Sequence, residues 1–156
     1  MSSNTYLNYS LMNEQATNIK SNVSNFATDF VSETRHTTMS DVISVVLASS
    51  SAFAAAYLSK SPEPFFQAGS MGVSQLLALS LGKTMRDMGN LEYKKGTIHA
   101  AAYVSLISTG LFSLINNQLH IERSWQKNIT NGLISSSVGS VADNYLMHSN
   151  DCSCQY

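Results

Sequence analysis

The charged residues of this chain divide it into four long windows that contain no Asp, Glu, Lys or Arg. The windows run from 42 to 59, 64 to 82, 96 to 121 and 128 to 142. A helix needs about 20 mostly apolar residues to cross a membrane. The first three windows reach that length, and the fourth reaches it when Asp143 lies at the membrane edge. We therefore predict a small all-α membrane protein, a bundle of four transmembrane helices.

A soluble bundle would distribute its charges differently. Each of its helices would carry charge along a solvent-facing stripe with a period near 3.6 residues, whereas here charge is missing from whole helices. A soluble helical domain rich in Ser and Ala is the alternative, because the mean hydropathy is only −0.04 and serine occurs in every window. Serine and threonine nevertheless tolerate burial in a membrane, since they hydrogen-bond to neighbouring helices or to their own backbone.

The windows also predict the domain organisation. The expected helices span residues 40–59, 65–88, 97–117 and 128–147. Together they form a transmembrane domain at 40–147, between a polar N-terminal segment at 1–39 and a C-terminal tail at 148–156. Thr38 and Ser40 are candidate N-caps of the first helix, because each hydroxyl can accept a hydrogen bond from the free N–H groups there.

The N-terminal segment has an amphipathic pattern of its own. Apolar residues recur at three- and four-residue steps, at Met12, Ala16, Ile19, Val23, Phe26 and Phe30. This spacing predicts one apolar helix face. Lys20 is the only base before Arg35, so attraction to anionic lipid is weak and docking on a partner protein is the better interpretation. The segment resembles neither a secretory signal nor an Arg-rich mitochondrial presequence.

Small residues are placed where helices could approach one another closely. Lipid gives no hydrophobic drive for helix association, so packing depends on such residues. Pairs four residues apart occur on every predicted helix, at Ala52 and Ala56, Ala68 and Gly72, Ala101 and Ser105, and Ser135 and Gly139. This pattern favours a compact bundle over four separate anchors. Aromatic residues near the predicted helix ends, where rings favour the membrane interface, are Tyr57, Phe65, Phe66 and Trp125.

Charge and chemistry exclude several function classes. The net charge of −1 argues against binding nucleic acid, which needs a basic surface. His99 and His120 lie about 30 Å apart on one helix, so they cannot share a metal there. We interpret Cys152 and Cys154 as incidental thiols in an exposed tail. We predict a protein that is not an enzyme and has no catalytic, cofactor-binding or metal-ligating residue. Its expected partners are lipid and other subunits of a large membrane complex, and a bound phospholipid is compatible with this prediction.

A motif joins the third and fourth predicted helices. Its residues are Gly110, Phe112, Asn116, Arg123, Trp125, Gly132, Ser135 and Gly139. It resembles the signature of the mitochondrial inner-membrane translocase (Tim) family, within the wider preprotein and amino acid transporter superfamily. In that signature an aromatic residue is followed after ten residues by an arginine, as Phe112 is by Arg123 here, and a glycine-rich run then ends at the position of Gly139.

The chain departs from the family pattern at several positions. Thr109 stands where the family has a small Gly or Ala, Lys127 replaces an aspartate, and Ile134 and Ser135 replace a small-Gly pair. Asn116 stands where members usually carry an acid. The family places its motif on the second and third helices, whereas it falls here on the third and fourth.

The resemblance implies a multi-pass protein of the mitochondrial inner membrane. Members of the superfamily are either translocators or structural subunits. Ionisable groups at membrane depth are kept for a function such as translocation, and the central turns of all four predicted helices lack them. We therefore expect a non-catalytic accessory subunit of a respiratory-chain complex, complex I, that stabilises its assembly. The alternatives are a subunit of the inner-membrane protein-import translocase and a viral or bacterial structural membrane protein. On this interpretation Asn116→Ala should be mild.

Overall fold

The protein folds into long helices. The computed structural model describes residues 17, 20–25, 27–29, 31–32, 38–87 and 97–151. Its long helices are α1 (Met39–Leu58), α2 (Pro64–Asp87), α3 (Ile98–Gln118) and α4 (Trp125–Asp151). No strand occurs among these residues, so the predicted all-α class is confirmed.

The first three helices begin and end within one residue of the predicted bounds, but α4 is longer at both ends. It starts three residues before the predicted position and continues to Asp151. Ser124 explains the early start, because its carbonyl accepts the N–H of Asn128 at 3.0 Å and its hydroxyl accepts the N–H of Lys127 at 3.5 Å. A serine that satisfies free N–H groups in this way starts a helix, even where charged residues follow.

The start of α1 is tied to the end of α2 by a buried ion pair. Thr38 is the N-cap, and its backbone N–H donates to the Asp41 carboxylate at 2.8 Å. The Lys83 ammonium of α2 donates to the same carboxylate oxygen at 2.6 Å, and the two side chains are only 9% and 1% exposed. A buried charge is costly unless it is paired, so this contact fixes α1 and α2 as antiparallel neighbours. Ser40, the other candidate cap, lies inside the first turn of α1.

The two tight loops lie together at the other end of the bundle. The second residue after each of α1 and α3 has a positive φ, Lys60 at 53° and His120 at 56°. After each, the chain turns so that a backbone N–H reaches back five residues, from Ser61 to Ala56 at 2.9 Å in the first case, as in the Schellman motif. Ser61 then donates to the Glu122 carboxylate at 2.9 Å, which links one loop to the other.

The four helices form an antiparallel ring. Each packs against its neighbours in sequence, and α1 also packs against α4, which closes the ring. Across the ring, the backbones of α2 and α4 approach only marginally, and within the described residues those of α1 and α3 do not approach closely. This is the arrangement of an up-down-up-down four-helix bundle.

The N-terminal segment is described only in part. The described residues between 17 and 32 are helical and exposed, including Val23 and Val31. Five of the six predicted stripe residues, Met12, Ala16, Ile19, Phe26 and Phe30, lie outside the described residues, as do Cys152 and Cys154. The amphipathic helix therefore stays a prediction.

Two glycines of α4 allow close approach of neighbouring helices. A Cβ atom placed on Gly139 would lie 2.7 Å from the carbonyl oxygen of Ser44 and 2.9 Å from the Cβ of Ala48, both on α1. A Cβ atom on Gly132 would lie 3.1 Å from the ring of Phe112 on α3. At Gly139 the neighbours are backbone and a short side chain, which cannot move aside without shifting the helix.

We expect Gly139→Ala to destabilise the fold by about 1–3 kcal/mol, the usual cost of overpacking a filled interior. Gly110→Ala is the matched control, because a Cβ atom on Gly110 meets nothing within 4 Å. That substitution should leave stability unchanged or raise it by up to about 1 kcal/mol, since alanine favours helix over glycine. The measurement is thermal unfolding of the purified variants followed by circular dichroism. Equal unfolding temperatures for the two variants would contradict the close contact between α1 and α4.

Candidate functional site

The interior of the bundle is polar. Buried polar residues outnumber buried hydrophobic ones within the described residues, and half of the buried hydrophobic residues are alanines. The fully buried side chains include Gln67, Gln75, Asn116 and Asn128. Soluble proteins bury apolar side chains and expose polar ones, so a buried polar side chain is the informative observation. In this bundle buried polar side chains occur along the whole length of the helices.

The outer surface has the opposite character. The outward faces carry large apolar residues, which on α1 are Val42, Ile43, Val46 and Leu47 and on α4 are Ile129, Leu133, Ile134, Val138 and Val141. Between Met39 and Leu58 no exposed position is charged, and on α4 none is charged from Ile129 to Val141. Contiguous apolar surface of this extent marks contact with a membrane or with other proteins.

Two helices, α1 and α3, are long and apolar enough to span a membrane by length and composition. Only 28% of the apolar window of α1 and 39% of that of α3 is buried, so most of each window faces outward. Helices α2 and α4 contain more polar residues. Those residues lie in the bundle interior, however, as Ser74 and Gln75 do on α2 and Ser135 and Ser136 do on α4.

An amide network joins three helices near the loop end. Ser70 on α2 donates to the Asn116 side-chain carbonyl at 2.7 Å, and the Asn116 amide donates to the Asn128 side chain of α4 at 3.2 Å. Asn128 in turn donates to the backbone carbonyl of Glu122 at 2.9 Å. Asn116 is completely buried. It therefore couples α2, α3 and α4, a role that its position near a helix end did not predict.

A second polar cluster joins α1, α2 and α4 farther along the bundle. The Gln75 amide donates to the hydroxyls of Ser44 at 3.1 Å and Ser140 at 3.3 Å. Ser44 donates to the carbonyl of Gly139 at 2.8 Å. This last bond crosses from α1 to α4 at the point where Gly139 allows the two backbones to approach. The close contact and the hydrogen bond depend on each other.

Serine and threonine hydroxyls connect α3 to α4. The hydroxyl of Ser136 lies 2.9 Å from that of Ser105 and 3.0 Å from that of Thr109. Two further hydroxyls, those of Ser113 and Ser135, are buried with no hydrogen-bond partner in the described part of the chain. A buried polar atom is normally hydrogen-bonded, so these two mark places where the interior can accept another donor or acceptor.

An apolar layer separates the two polar clusters. It consists of Ala48, Ala52, Met71 and Phe112, each fully buried and in mutual contact. The buried ion pair lies beyond the Gln75 cluster at the far end of the bundle. No group of His, Cys, Asp or Glu that could hold a metal ion occurs among the described residues. Buried hydroxyls, among them those of Ser74, Ser108 and Ser136, lie along the middle of the bundle together with this apolar layer.

The structure separates the residues singled out from sequence into two sets. Gly132, Ser135, Gly139, Phe112 and Asn116 lie in the interior with Ala52 and Ala56. Gly72 is half-buried, and a Cβ atom there would lie 2.7 Å from the Ser49 hydroxyl. Ala68 is also half-buried. Gly110, Arg123 and Trp125 are exposed on the outer surface.

Sequence reasoning missed the polar residues that hold the interior together. The residues concerned are Ser44, Gln67, Gln75, Asn128, Asp41 and Lys83. A usable signal was present on α4, where polar or small residues recur at 128, 131, 135, 139 and 143, which is helical spacing within an uncharged window. Such a polar stripe on an uncharged helix indicates the face that packs inward.

Comparison with protein-family models, with curated proteins and with solved structures finds no match. The resemblance to the translocase family therefore remains a prediction from the motif.

The buried position of Asn116 changes the expected effect of removing it. Asn116→Ala removes the side-chain acceptor of Ser70 and leaves the buried side-chain oxygen of Asn128 without its donor. We expect this to cost about 1–3 kcal/mol rather than the mild loss expected from sequence. Gln118→Ala is the matched control, because Gln118 lies two residues farther along the chain and is exposed. It should change the free energy of unfolding by less than about 0.5 kcal/mol. Chemical unfolding of both variants measures the difference. A cost at Asn116 no larger than at Gln118 would contradict the network.

Proposed function

We propose that this protein is a non-catalytic structural protein that spans a membrane with all four long helices and acts as a scaffold within a larger membrane complex. The observation that carries this proposal is the inverted polarity of the bundle. Polar side chains hydrogen-bond to one another inside, and uncharged apolar side chains cover the outside. In hydrocarbon this arrangement is favourable, because polar groups must find partners within the protein.

Helices α2 and α4 belong to the membrane-spanning set on this proposal. They contain 24 and 27 residues, and at 1.5 Å per residue each exceeds the hydrocarbon core of about 30 Å. Their average composition is polar because they contribute most of the interior hydrogen bonds. Lipid contacts only the outer surface of the bundle, and that surface is apolar on all four helices. The average composition of a helix therefore does not decide whether it can span a membrane.

The side chains buried in the interior favour a scaffold over a conduit. A conduit for charged peptides or ions needs polar or ionisable groups along its whole path. In this bundle the two largest fully buried side chains, Phe112 and Met71, are apolar and interrupt the buried polar positions. The ionisable pair Asp41 and Lys83 lies at one end, and the amide of Asn116 is engaged by Ser70 and Asn128.

A more specific proposal follows from the motif. Its resemblance to the translocase family supports a place in the mitochondrial inner membrane, as an accessory subunit that stabilises respiratory complex I. The exposed Arg123 and Trp125 are the motif residues whose side chains are available to contact neighbouring subunits. The interior motif residues stabilise the bundle itself.

Membrane topology is testable by single-cysteine labelling. With both native cysteines replaced by serine, single cysteines are placed at Ser3, Glu63, Asn90 and Arg123 in sealed vesicles. Four crossings place Ser3 and Asn90 on one side and Glu63 and Arg123 on the other, because two helices separate the members of each pair. An impermeant maleimide should label only one pair until detergent is added. Labelling of all four sites from one side, with release of the protein by alkaline carbonate, would refute the membrane proposal.

The scaffold role is testable in cells depleted of the chain. We expect respiratory complex I to lose assembly or abundance on native gels, while import of presequence and carrier proteins stays normal at first. Depleted cells that re-express Gly139→Ala should show reduced assembly, and cells that re-express Gly110→Ala should not. Blocked import with intact respiratory complexes would support the translocase alternative. Copurification with viral particles or bacterial envelope proteins would support the remaining alternative, a viral or bacterial structural membrane protein.

A further inference from the structure

An apolar groove lies on the outer surface between the start of α2 and the end of α3. Its volume is about 350 Å³, and its walls include Phe65, Phe66, Val73, Ile115, Leu119 and Ile121. The accessible surface inside it is almost entirely apolar. A polar ligand would lose its hydrogen bonds to water there without replacement, so the groove fits an apolar chain.

The floor of the groove is opened by a glycine. Gly69 lines the groove, and a Cβ atom placed on it meets nothing within 4 Å. Any longer side chain at this position would therefore extend into free space instead of clashing with the bundle. The absence of a side chain at Gly69 is what leaves room for an occupant.

A second hollow lies at the same end of the bundle, at the start of α2. It is lined by Tyr57, Lys60, Ser61 and Pro64, and its surface is more polar than that of the groove. Pro64 lines this hollow and the next residue, Phe65, lines the groove. An apolar groove at the same end of α2 as a hollow lined in part by Lys60 matches a lipid that has an anionic head.

The charges at this end of the bundle favour an anionic head. Lys60, Arg123 and Lys127 are exposed here. The carboxylates at this end are Glu63, which is exposed, and Glu122, which accepts hydrogen bonds from Ser61 and from the backbone N–H of Ser124. The three cations therefore exceed these two carboxylates by one positive charge. In the proposed topology this end lies at the membrane surface, where phosphate heads are located.

We propose that the groove binds one acyl chain of an anionic phospholipid, with the phosphate head at the hollow beside Lys60. This inference rests on the proposed membrane-spanning function, because only then does the groove face hydrocarbon and the hollow face the head-group layer. The chain packs along Phe66, Val73 and Ile115 over the floor at Gly69.

The test uses the full-length protein in phosphatidylcholine vesicles that contain a small fraction of phosphatidylglycerol with a photoactivatable group at the end of one acyl chain. After irradiation, mass spectrometry maps the cross-linked peptides. We expect cross-links concentrated on 65–73 and 115–121. Gly69→Leu should fill the groove and lower them about tenfold, which corresponds to roughly 1.4 kcal/mol of binding. Gly110→Leu adds the same side chain outside the groove and should leave them unchanged.

A second variant tests the head-group site without touching the groove. Lys60→Gln should reduce the preference for the phosphatidylglycerol probe over the same probe with a phosphatidylcholine head, while total cross-linking at 65–73 persists. An equal preference in the parent protein would overturn the anionic part of the proposal. Circular dichroism confirms that each variant remains helical.

The outcomes separate this inference from the proposed function. Cross-links spread evenly over the outer faces of a carbonate-resistant protein, with no loss in Gly69→Leu, would overturn the lipid site and leave the membrane scaffold standing. Release of the parent protein by carbonate, together with absence of cross-links on every helix, would overturn both.

Discussion

Hydrogen bonds between polar side chains inside the bundle are the interaction on which the remaining structure depends. In the proposed membrane location the helices gain nothing from hiding apolar surface, so association relies on packing and on polar contacts. Each such bond contributes only about 0.6 kcal/mol on average. One contact could not hold four helices, but the Asn116 network joins α2, α3 and α4, the Gln75 cluster joins α1, α2 and α4, and the Ser136 hydroxyl adds to the contact between α3 and α4. Together they connect all four helices.

Short side chains make those bonds possible only where backbones are close. A serine hydroxyl reaches little beyond its own helix, so Ser44 can donate to the carbonyl of Gly139 only because residue 139 has no side chain. The alanines at 48 and 52 serve the same purpose on α1. The small residues and the hydrogen-bonding residues are therefore one structural device, and this explains why the chain is rich in serine and low in mean hydropathy while its surface is apolar.

The sequence predicted the helices well and the interior poorly, for different physical reasons. Each helix contains a long stretch without charge, and these stretches locate the helices along the chain. Only α4 differed by more than one residue, and Ser124 accounts for its earlier start. Which side of a helix points into the bundle is harder to predict. Gly110 and Gly132 have the same chemistry, but Gly132 packs against a neighbouring helix and Gly110 faces outward. The pairing of Asp41 with Lys83 depends on contact between two helices, which composition does not contain.

The distribution of polar contacts along the axis also specifies helix register. The contacts among Ala48, Ala52, Met71 and Phe112 depend only on the shapes of apolar groups. Such contacts alone would tolerate a shift of one helix by a turn if the total side-chain volume were conserved. The amide of Asn116 at one end and the ion pair at the other do not tolerate it, because a shift would leave buried polar groups unpaired. These polar contacts thus fix one alignment of the four helices. The proposed scaffold function needs that single alignment, because a scaffold must present the same outer surface to lipid and to its neighbours in every copy.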